Sequence, residues 1–223
     1  METSLTASFL VPLHFIHLVV GPAILAWWFM SRRDGVLKNF GMGMLGYALG
    51  TAAWALLVLT KPDDLRPLII IGVIPFLLAH IPFAKAAYHN ISQEKRNLLI
   101  GLVVLSIVGT FVARTFLFPS EAFFSEEGLL FFGLDPVAIG FYIMLFSISF
   151  LPAVLAVVPR LPQSARAAMN VGLIAIYVTS VVMVSAQDGV LLLMNGWVAG
   201  LGLLLTWVTA LRNKGEPAAP VAT

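Results

Sequence analysis

The sequence predicts an all-α integral membrane protein, built as a seven-transmembrane-helix bundle. Of its 223 residues, 60% are hydrophobic and only 11% are charged, and the mean hydropathy is +0.96. Seven apolar segments are long enough to cross a hydrocarbon core about 30 Å thick, which takes roughly 20 helical residues. None shows the alternating pattern of a membrane β-strand. Because lipid leaves no partner for unpaired backbone groups, the spans are predicted to be helices.

The composition also excludes several classes of protein. A soluble domain carries about a quarter charged residues, so this chain has too little polar material to cover a water-facing surface. Disordered chains and nucleic-acid-binding domains need more charge still. The absence of cysteine excludes disulfides, thiolate metal sites and a cysteine nucleophile. The lipid bilayer is therefore a predicted partner, and nucleic acid is not.

The predicted helices take up most of the chain, at about 8–29, 39–60, 67–88, 97–117, 136–158, 167–186 and 189–211. Residues 1–214 therefore form one transmembrane domain. Residues 215–223 (GEPAAPVAT) predict a disordered cytoplasmic tail. The first segment lacks a basic region in front of it, so we expect it to be retained as a helix.

The loops predict the orientation of the bundle, because cytoplasmic loops are rich in lysine and arginine. Ten basic residues fall on one side: Arg32, Arg33, Lys38, Lys85, Lys95, Arg96, Arg160, Arg166, Arg212 and Lys214. The other side has only Lys61 and Arg66. The N-terminus is thus predicted outside and the C-terminus in the cytoplasm, as in a multi-pass protein of a plasma or inner membrane.

The segment between helices 4 and 5, residues 118–135, is rich in phenylalanine and glutamate. Ser120 could cap a short helix that Gly128 ends. Exposed aromatic side chains would place this helix in the outer interface or over the bundle. An interfacial anchor is favoured over a functional lid.

Two further patterns concern the packing of the helices. Residues 21–26 (GPAILA) resemble residues 151–156 (LPAVLA), which suggests a 3+1+3 parallel repeat of the kind found in transporters. Chance competes with this match, because its residue types are common. Prolines at 22, 75, 82 and 152 predict kinks within the spans, and Gly46-x-x-x-Gly50 and Gly196-x-x-x-Gly200 predict close helix packing inside the bundle.

A few polar residues within the spans are the candidate ligand-binding residues. Polar groups at membrane depth rarely face lipid. Five of these side chains are therefore predicted to form a layer open to the outside, namely His14, His17, Arg114, Asp188 and Asn195, and His80 is predicted to lie deeper. A structural role in hydrogen bonding within the bundle competes with this interpretation. Arg114 is expected to pair with Asp135 or Asp188, and Lys85, His89 and Lys95 are interpreted as interface residues without chemistry. The candidate ligand-binding residues are His14, His17, His80, Arg114, Asp188 and Asn195.

The sequence leaves the cofactor and the metal unknown. A haem bound through His17 and His80 needs both at one depth, and helical rise places His80 about 6 Å deeper. A zinc site at His14 and His17 would lack its third protein ligand. Seven helices with an outer N-terminus are also typical of the microbial rhodopsins, which bind retinal through a lysine of helix 7. Residues 189–211 contain no lysine, so retinal is not expected. The Pro-Gln signature of the SWEET sugar transporters occurs only in a loop, at residues 162–163.

Three functions therefore remain open. The first is a small-solute or ion transporter or channel with a polar site in the outer half of the bundle. The second is a non-catalytic receptor, sensor or accessory subunit that binds partner membrane subunits. The third is a haem-binding or enzymatic membrane protein. The sequence does not decide whether the chain is an enzyme, but it favours a non-enzymatic function.

Overall fold

The computed structural model describes residues 19–60, 66–117, 121–124, 130–185, 198 and 201–208. This part of the chain is predominantly helical. Its first half contains α1 (Val19–Met30), α2 (Gly35–Thr60), α3 (Arg66–Leu78), α4 (His80–Ala87) and α5 (Gln93–Val112), and α5 continues as a π-helical turn at Ala113–Leu117. Its second half contains β1 (Glu121–Phe124), β2 (Leu130–Gly133), α6 (Pro136–Leu145), a π-helical segment (Phe146–Phe150), α7 (Leu151–Val157), a 3-10 turn (Val158–Arg160), α8 (Gln163–Ser185) and α9 (201–208).

Four helical stretches are long and apolar enough to cross a membrane: Gly35–Leu57, Ile69–Ala87, Gln93–Leu117 and Pro136–Arg160. They coincide with the second to fifth predicted spans. Described helices also fall within the first, sixth and seventh predicted segments. The secondary structure therefore follows the predicted helical segments, and four of them meet the length and composition needed for a span.

Many large apolar side chains remain exposed on these helices. Such a surface is unfavourable in water but is normal for helices that face lipid tails. On α5 alone, the exposed side chains include Leu98, Leu102, Leu105, Val108 and Val112. The surface of the bundle is thus compatible with a membrane.

Helices α2 and α3 pack at very short range through glycines. A Cβ atom built on Gly50 would lie 2.8 Å from the Gly72 carbonyl oxygen, and one on Gly46 would lie 2.9 Å from the Pro75 carbonyl oxygen. Only glycine allows this approach of two backbones. The Gly46-x-x-x-Gly50 motif therefore packs inside the molecule, as the sequence predicts. The second motif, at 196 and 200, lies outside the described residues.

Helix α4 occupies the centre of the described bundle, where it contacts α2, α5, α7 and the π-helical segment. Its side chains Phe83 and Ala84 are almost fully buried. Phe83 packs against Phe40 of α2 and Phe150 of the π-helical segment, with ring centroids 5.2 Å apart in both pairs. A cluster of aromatic side chains thus forms the part of the core next to α4.

The connection between the fourth and fifth spans differs from its prediction. The sequence predicts a short helix from Ser120 to Gly128, but Glu121–Phe124 and Leu130–Gly133 form an antiparallel hairpin in which Glu121 faces Gly133. Phenylalanine favours strands, and pairing satisfies backbone groups that so short a helix would leave open. Strand β2 contacts α8 and α2, so the hairpin packs on the bundle.

Candidate functional site

Two of the six predicted ligand-binding residues lie in the part of the chain that the structure describes. His80 and Arg114 are both buried, with 1% and 4% of their surface exposed. His14, His17, Asp188 and Asn195 lie outside the described residues. Of the predicted outer layer, only Arg114 lies in the described ranges, and the four positions outside them stay predictions.

His80 forms a polar contact between two interrupted helices. Its Nδ1 lies 2.6 Å from Oγ of Ser149 in the π-helical segment. Because Ser149 donates its one hydroxyl proton to the Leu145 carbonyl oxygen, 2.7 Å away, Nδ1 carries the hydrogen that bonds Ser149. This assigns the Nδ1–H tautomer of His80 and leaves Nε2 as a hydrogen-bond acceptor.

Aromatic rings enclose the His80 imidazole. The ring centroids of Phe146, Phe76 and Phe83 lie 4.8, 5.9 and 6.0 Å from it, all in edge-to-face orientation. This packing fixes the ring plane and excludes water from its faces. The imidazole is therefore held in one orientation by one hydrogen bond and three rings.

Proline explains why α3 and α4 are separate helices. Pro82 has no N–H for the Leu78 carbonyl, and its ring would collide with that carbonyl in a regular helix. Helix α3 accordingly ends at Leu78, and α4 begins at His80 after the single turn residue Ala79. The irregularity is confined to Ala79, whose backbone dihedrals stay helical (φ −56°, ψ −27°), and the bend that the sequence predicts near His80 stays a prediction.

A second proline disturbs the fifth span at the same level. Pro152 cannot donate to the Ile148 carbonyl, and the helix is π-helical from Phe146 to Phe150. The Tyr88 hydroxyl, at the end of α4, donates to the Ile148 carbonyl oxygen. A side chain of one interrupted span therefore satisfies the carbonyl that proline leaves open in the other.

Arg114 lies in the π-helical turn at the end of α5, where its Nη1 donates to the hydroxyl oxygen of Tyr142 at 2.6 Å. The sequence predicts a carboxylate partner, Asp135 or Asp188. Asp135 caps α6, because its Oδ1 accepts the Val137 N–H at 2.8 Å. Asp188, the other predicted partner, lies outside the described residues.

Arg114 and His80 belong to one connected aromatic core. The Phe76 ring lies 6.2 Å from the Tyr142 ring and 5.9 Å from His80, and Tyr142 accepts the hydrogen bond of Arg114. The two predicted site residues are thus joined through Phe76 and Tyr142. No cluster of three or more histidine, cysteine, aspartate or glutamate side chains that could hold a metal occurs within the described ranges.

A cavity of about 570 Å³ opens at the end of the bundle where the basic loops meet. Its wall is formed by the start of α2, the end of α4, the first turns of α5 and the end of the fifth span. The charged and polar side chains that line it are Asp34, Asn39, Lys85, His89, Gln93, Arg96, Asn97 and Arg160. This volume lies in the range of small-molecule sites.

Arg160, which follows the fifth predicted span, contacts residues of the loops that follow the first and the third. Its Nε lies 3.4 Å from Oδ2 of Asp34, and its Nη2 donates to Nε2 of His89. Since His89 accepts from arginine at Nε2, its Nδ1 carries the hydrogen and donates to the Ala86 carbonyl oxygen at 3.1 Å. Burial, and then the positive charge of Arg160, lower the pKa of His89, so this imidazole is neutral at pH 7.

The sequence did not predict this cavity. It marks Lys85 and His89 only as interface residues, and Asp34 and Arg160 only as loop charges. The lining residues come from the loops at the ends of three different spans, so no local motif connects them. The one available signal is that loops 1–2, 3–4 and 5–6 all fall on the predicted basic side, where alternating spans bring them together.

No family model matches the chain, and no similar protein was found among curated proteins or among solved structures.

Proposed function

We propose that the chain is a multi-pass membrane protein with seven spans, an outer N-terminus and a cytoplasmic C-terminus, in a plasma or inner membrane. Contacts between loops support this arrangement. Asp34 follows the first predicted span, His89 the third and Arg160 the fifth, and Arg160 contacts both of the other two. Spans that alternate in direction bring every second loop to one face.

We infer further that the protein transports a small solute or an ion. The observation that carries this proposal is the meeting of two interrupted spans at the His80–Ser149 hydrogen bond. Transporters build their substrate sites where helices depart from regular geometry, because such a departure frees backbone groups and can change the bend of the helix. In this chain the departures are the turn at Ala79 and the π-helical segment Phe146–Phe150. A buried histidine that bonds across such a junction is a functional candidate by the same reasoning.

The residues have distinct roles in this proposal. His80 and Ser149 link the two interrupted spans at mid-depth. On the cytoplasmic side of this link, the Tyr88 hydroxyl donates to the Ile148 carbonyl oxygen, which Pro152 leaves without a backbone donor. Arg114 and Tyr142 lie at the outer end of the same aromatic core. The outer layer of His14, His17, Asp188 and Asn195 completes the solute site in the proposal, with Arg114 at its edge.

The test is transport by purified protein in liposomes. Concentration jumps of protons, sodium, potassium, small organic acids and sugars are applied, and the current or uptake is recorded. We expect one of these ions or solutes to give a current or an uptake above that of empty liposomes. Ser149→Ala removes one hydrogen bond across the junction, worth up to about 1.4 kcal/mol, so the rate should fall by up to about tenfold.

Ser106→Ala is the matched control. Ser106 is also a buried serine, and it donates to the carbonyl oxygen four residues earlier, Leu102, at 2.8 Å. It lies in the uninterrupted part of α5, so its loss should leave the rate near that of the wild type. Equal effects of the two substitutions would contradict a role for the junction. No signal from any of these ions or solutes, together with stable co-purification of other membrane proteins, would favour the accessory-subunit alternative.

A further inference from the structure

The cavity at the basic end is a second polar feature, separate from the His80–Ser149 junction. Three cations, Lys85, Arg96 and Arg160, line it together with a single carboxylate, Asp34. With His89 neutral, the lining carries a net charge of +2. A concave site with one sign of charge concentrates oppositely charged ligands.

The single carboxylate is already engaged. Oδ1 of Asp34 accepts the backbone N–H groups of Val36 and Leu37, at 2.7 and 3.0 Å, and caps α2. Its Oδ2 faces Arg160. Asp34 therefore offsets Arg160 alone. Within the described ranges, Lys85 and Arg96 have no carboxylate within 4 Å, and both line the cavity.

The start of α5 adds to the positive potential. Ser92 is the N-cap residue of α5, but its side chain makes no capping hydrogen bond. Gln93, Arg96 and Asn97 of the first turns line the cavity. The positive end of the helix dipole therefore lies beside the two uncompensated cations, an arrangement that favours phosphate oxygens.

We propose that this cavity binds a phosphate group attached to a larger molecule. The guanidinium of Arg96 matches phosphate in geometry, and the Lys85 ammonium supplies a point charge. The volume of about 570 Å³ exceeds what a bare phosphate needs, and Val36 and Ile100 give the wall an apolar part. A phospholipid headgroup and a soluble phosphate ester share this chemistry. The site is independent of whether the protein transports anything.

Ligand-induced stabilisation tests the proposal. The full chain is purified in a maltoside detergent, which carries no phosphate, and its thermal midpoint is measured with added glycerol 3-phosphate or with added phosphatidylglycerol. Glycerol with potassium chloride at equal ionic strength is the reference. We expect at least one phosphate probe to raise the midpoint, and the responding probe identifies the source as soluble or lipid.

Two double variants with the same loss of charge locate the effect. Lys85→Gln with Arg96→Gln removes the cavity cations, and apparent affinity should fall by at least about tenfold, since each charge-assisted bond contributes more than 1 kcal/mol. Lys38→Gln with Lys95→Gln removes two exposed cations that do not line the cavity, and affinity should stay within about twofold of the wild type.

Several outcomes would overturn the phosphate site. One is that neither probe raises the midpoint of the wild type above the salt reference. Another is that both double variants weaken binding equally, which would indicate a diffuse surface effect. If the cavity variant does not fold, the single variant Lys85→Gln replaces it, because this exposed side chain carries no part of the core. An unchanged affinity in that variant would then contradict the assignment.

Discussion

At the scale of single residues, Arg114 shows how the bundle holds a buried cation. Such a cation costs about 2.5–3.5 kcal/mol at mid-span on insertion scales and less near the surface, and the sequence predicts a carboxylate partner because Asp135 and Asp188 lie at the same outer level. Among the described residues, Nη1 of Arg114 donates to the Tyr142 hydroxyl oxygen at 2.6 Å, and the Tyr142 ring packs against Phe76 in the aromatic core. Pairing with Asp188, which lies outside the described residues, stays a prediction.

The Arg114–Tyr142 bond predicts a loss of stability on Tyr142→Phe. This substitution keeps the ring but removes the acceptor of a buried, charged donor, so the free energy of unfolding should fall by about 1–2 kcal/mol. Tyr177→Phe is the control, because the Tyr177 ring also packs on Phe146 while no hydrogen bond of its hydroxyl is found in the described part of the chain. Equal thermal shifts of the two variants in detergent would contradict the account.

His89 predicts a pH dependence of stability. Burial and the charge of Arg160 lower its pKa in the folded state, below the ordinary value of about 6.5, although Asp34 acts in the opposite direction. The unfolded chain therefore binds a proton that the folded chain does not, and stability falls as the pH falls below about 6.5. His89→Gln keeps an acceptor for Arg160 and should flatten this part of the stability–pH curve. A curve that stays parallel to the wild type would refute the assignment.

At the scale of secondary structure elements, glycine and proline determine how the helices meet. The sequence predicts the α2 glycine motif correctly, because small residues at a four-residue spacing lie on one face. It does not predict that Gly172 of α8 meets Gly202 of α9, where a Cβ on Gly202 would lie 2.6 Å from the Gly172 Cα. That contact joins single glycines from different helices, so no local spacing reveals it.

The close contact between α2 and α3 predicts that one added methyl group at Gly50 lowers the stability of the protein. The Cβ of Gly50→Ala would lie 2.8 Å from both the Gly72 carbonyl oxygen and the Phe76 Cβ. The two helices must separate, at a cost of about 1–3 kcal/mol. A Cβ at Gly101, in contrast, meets nothing within 4 Å, so Gly101→Ala should be neutral or stabilise the helix by up to about 1 kcal/mol. Thermal denaturation of both variants tests the contrast, and a stable Gly50→Ala variant would contradict it.

The pairing of Tyr88 with the open carbonyl of Ile148 predicts coupling to Pro152. Tyr88→Phe should cost about 1 kcal/mol in the wild-type background, because the carbonyl loses its donor. Pro152→Ala restores a backbone N–H near that carbonyl, so the same Tyr88→Phe change should cost less in its presence. A double-mutant cycle measures the difference, and strictly additive effects would show that Tyr88 does not compensate for proline.

At the scale of the whole molecule, the sequence predicts elements better than contacts. Hydropathy locates every described helix because burial in lipid imposes one length and one composition on each span. The hairpin is missed because aromatic residues next to glutamates suit either an amphipathic helix or two short strands. The His80–Ser149 bond and the basic cavity are missed because they join residues about 70 positions apart, and sequence spacing carries no information at that range.

The central claim of this account is a bundle of alternating spans with its basic end in the cytoplasm. The absence of cysteine allows a direct measurement with single cysteines introduced at Asp64, Ala122 and Gln163. A membrane-impermeant maleimide applied to intact cells should label Asp64→Cys and Ala122→Cys, and should label Gln163→Cys only after permeabilisation. Labelling of Gln163→Cys in intact cells, with Asp64→Cys and Ala122→Cys protected, would contradict the orientation and place the basic cavity outside the cell.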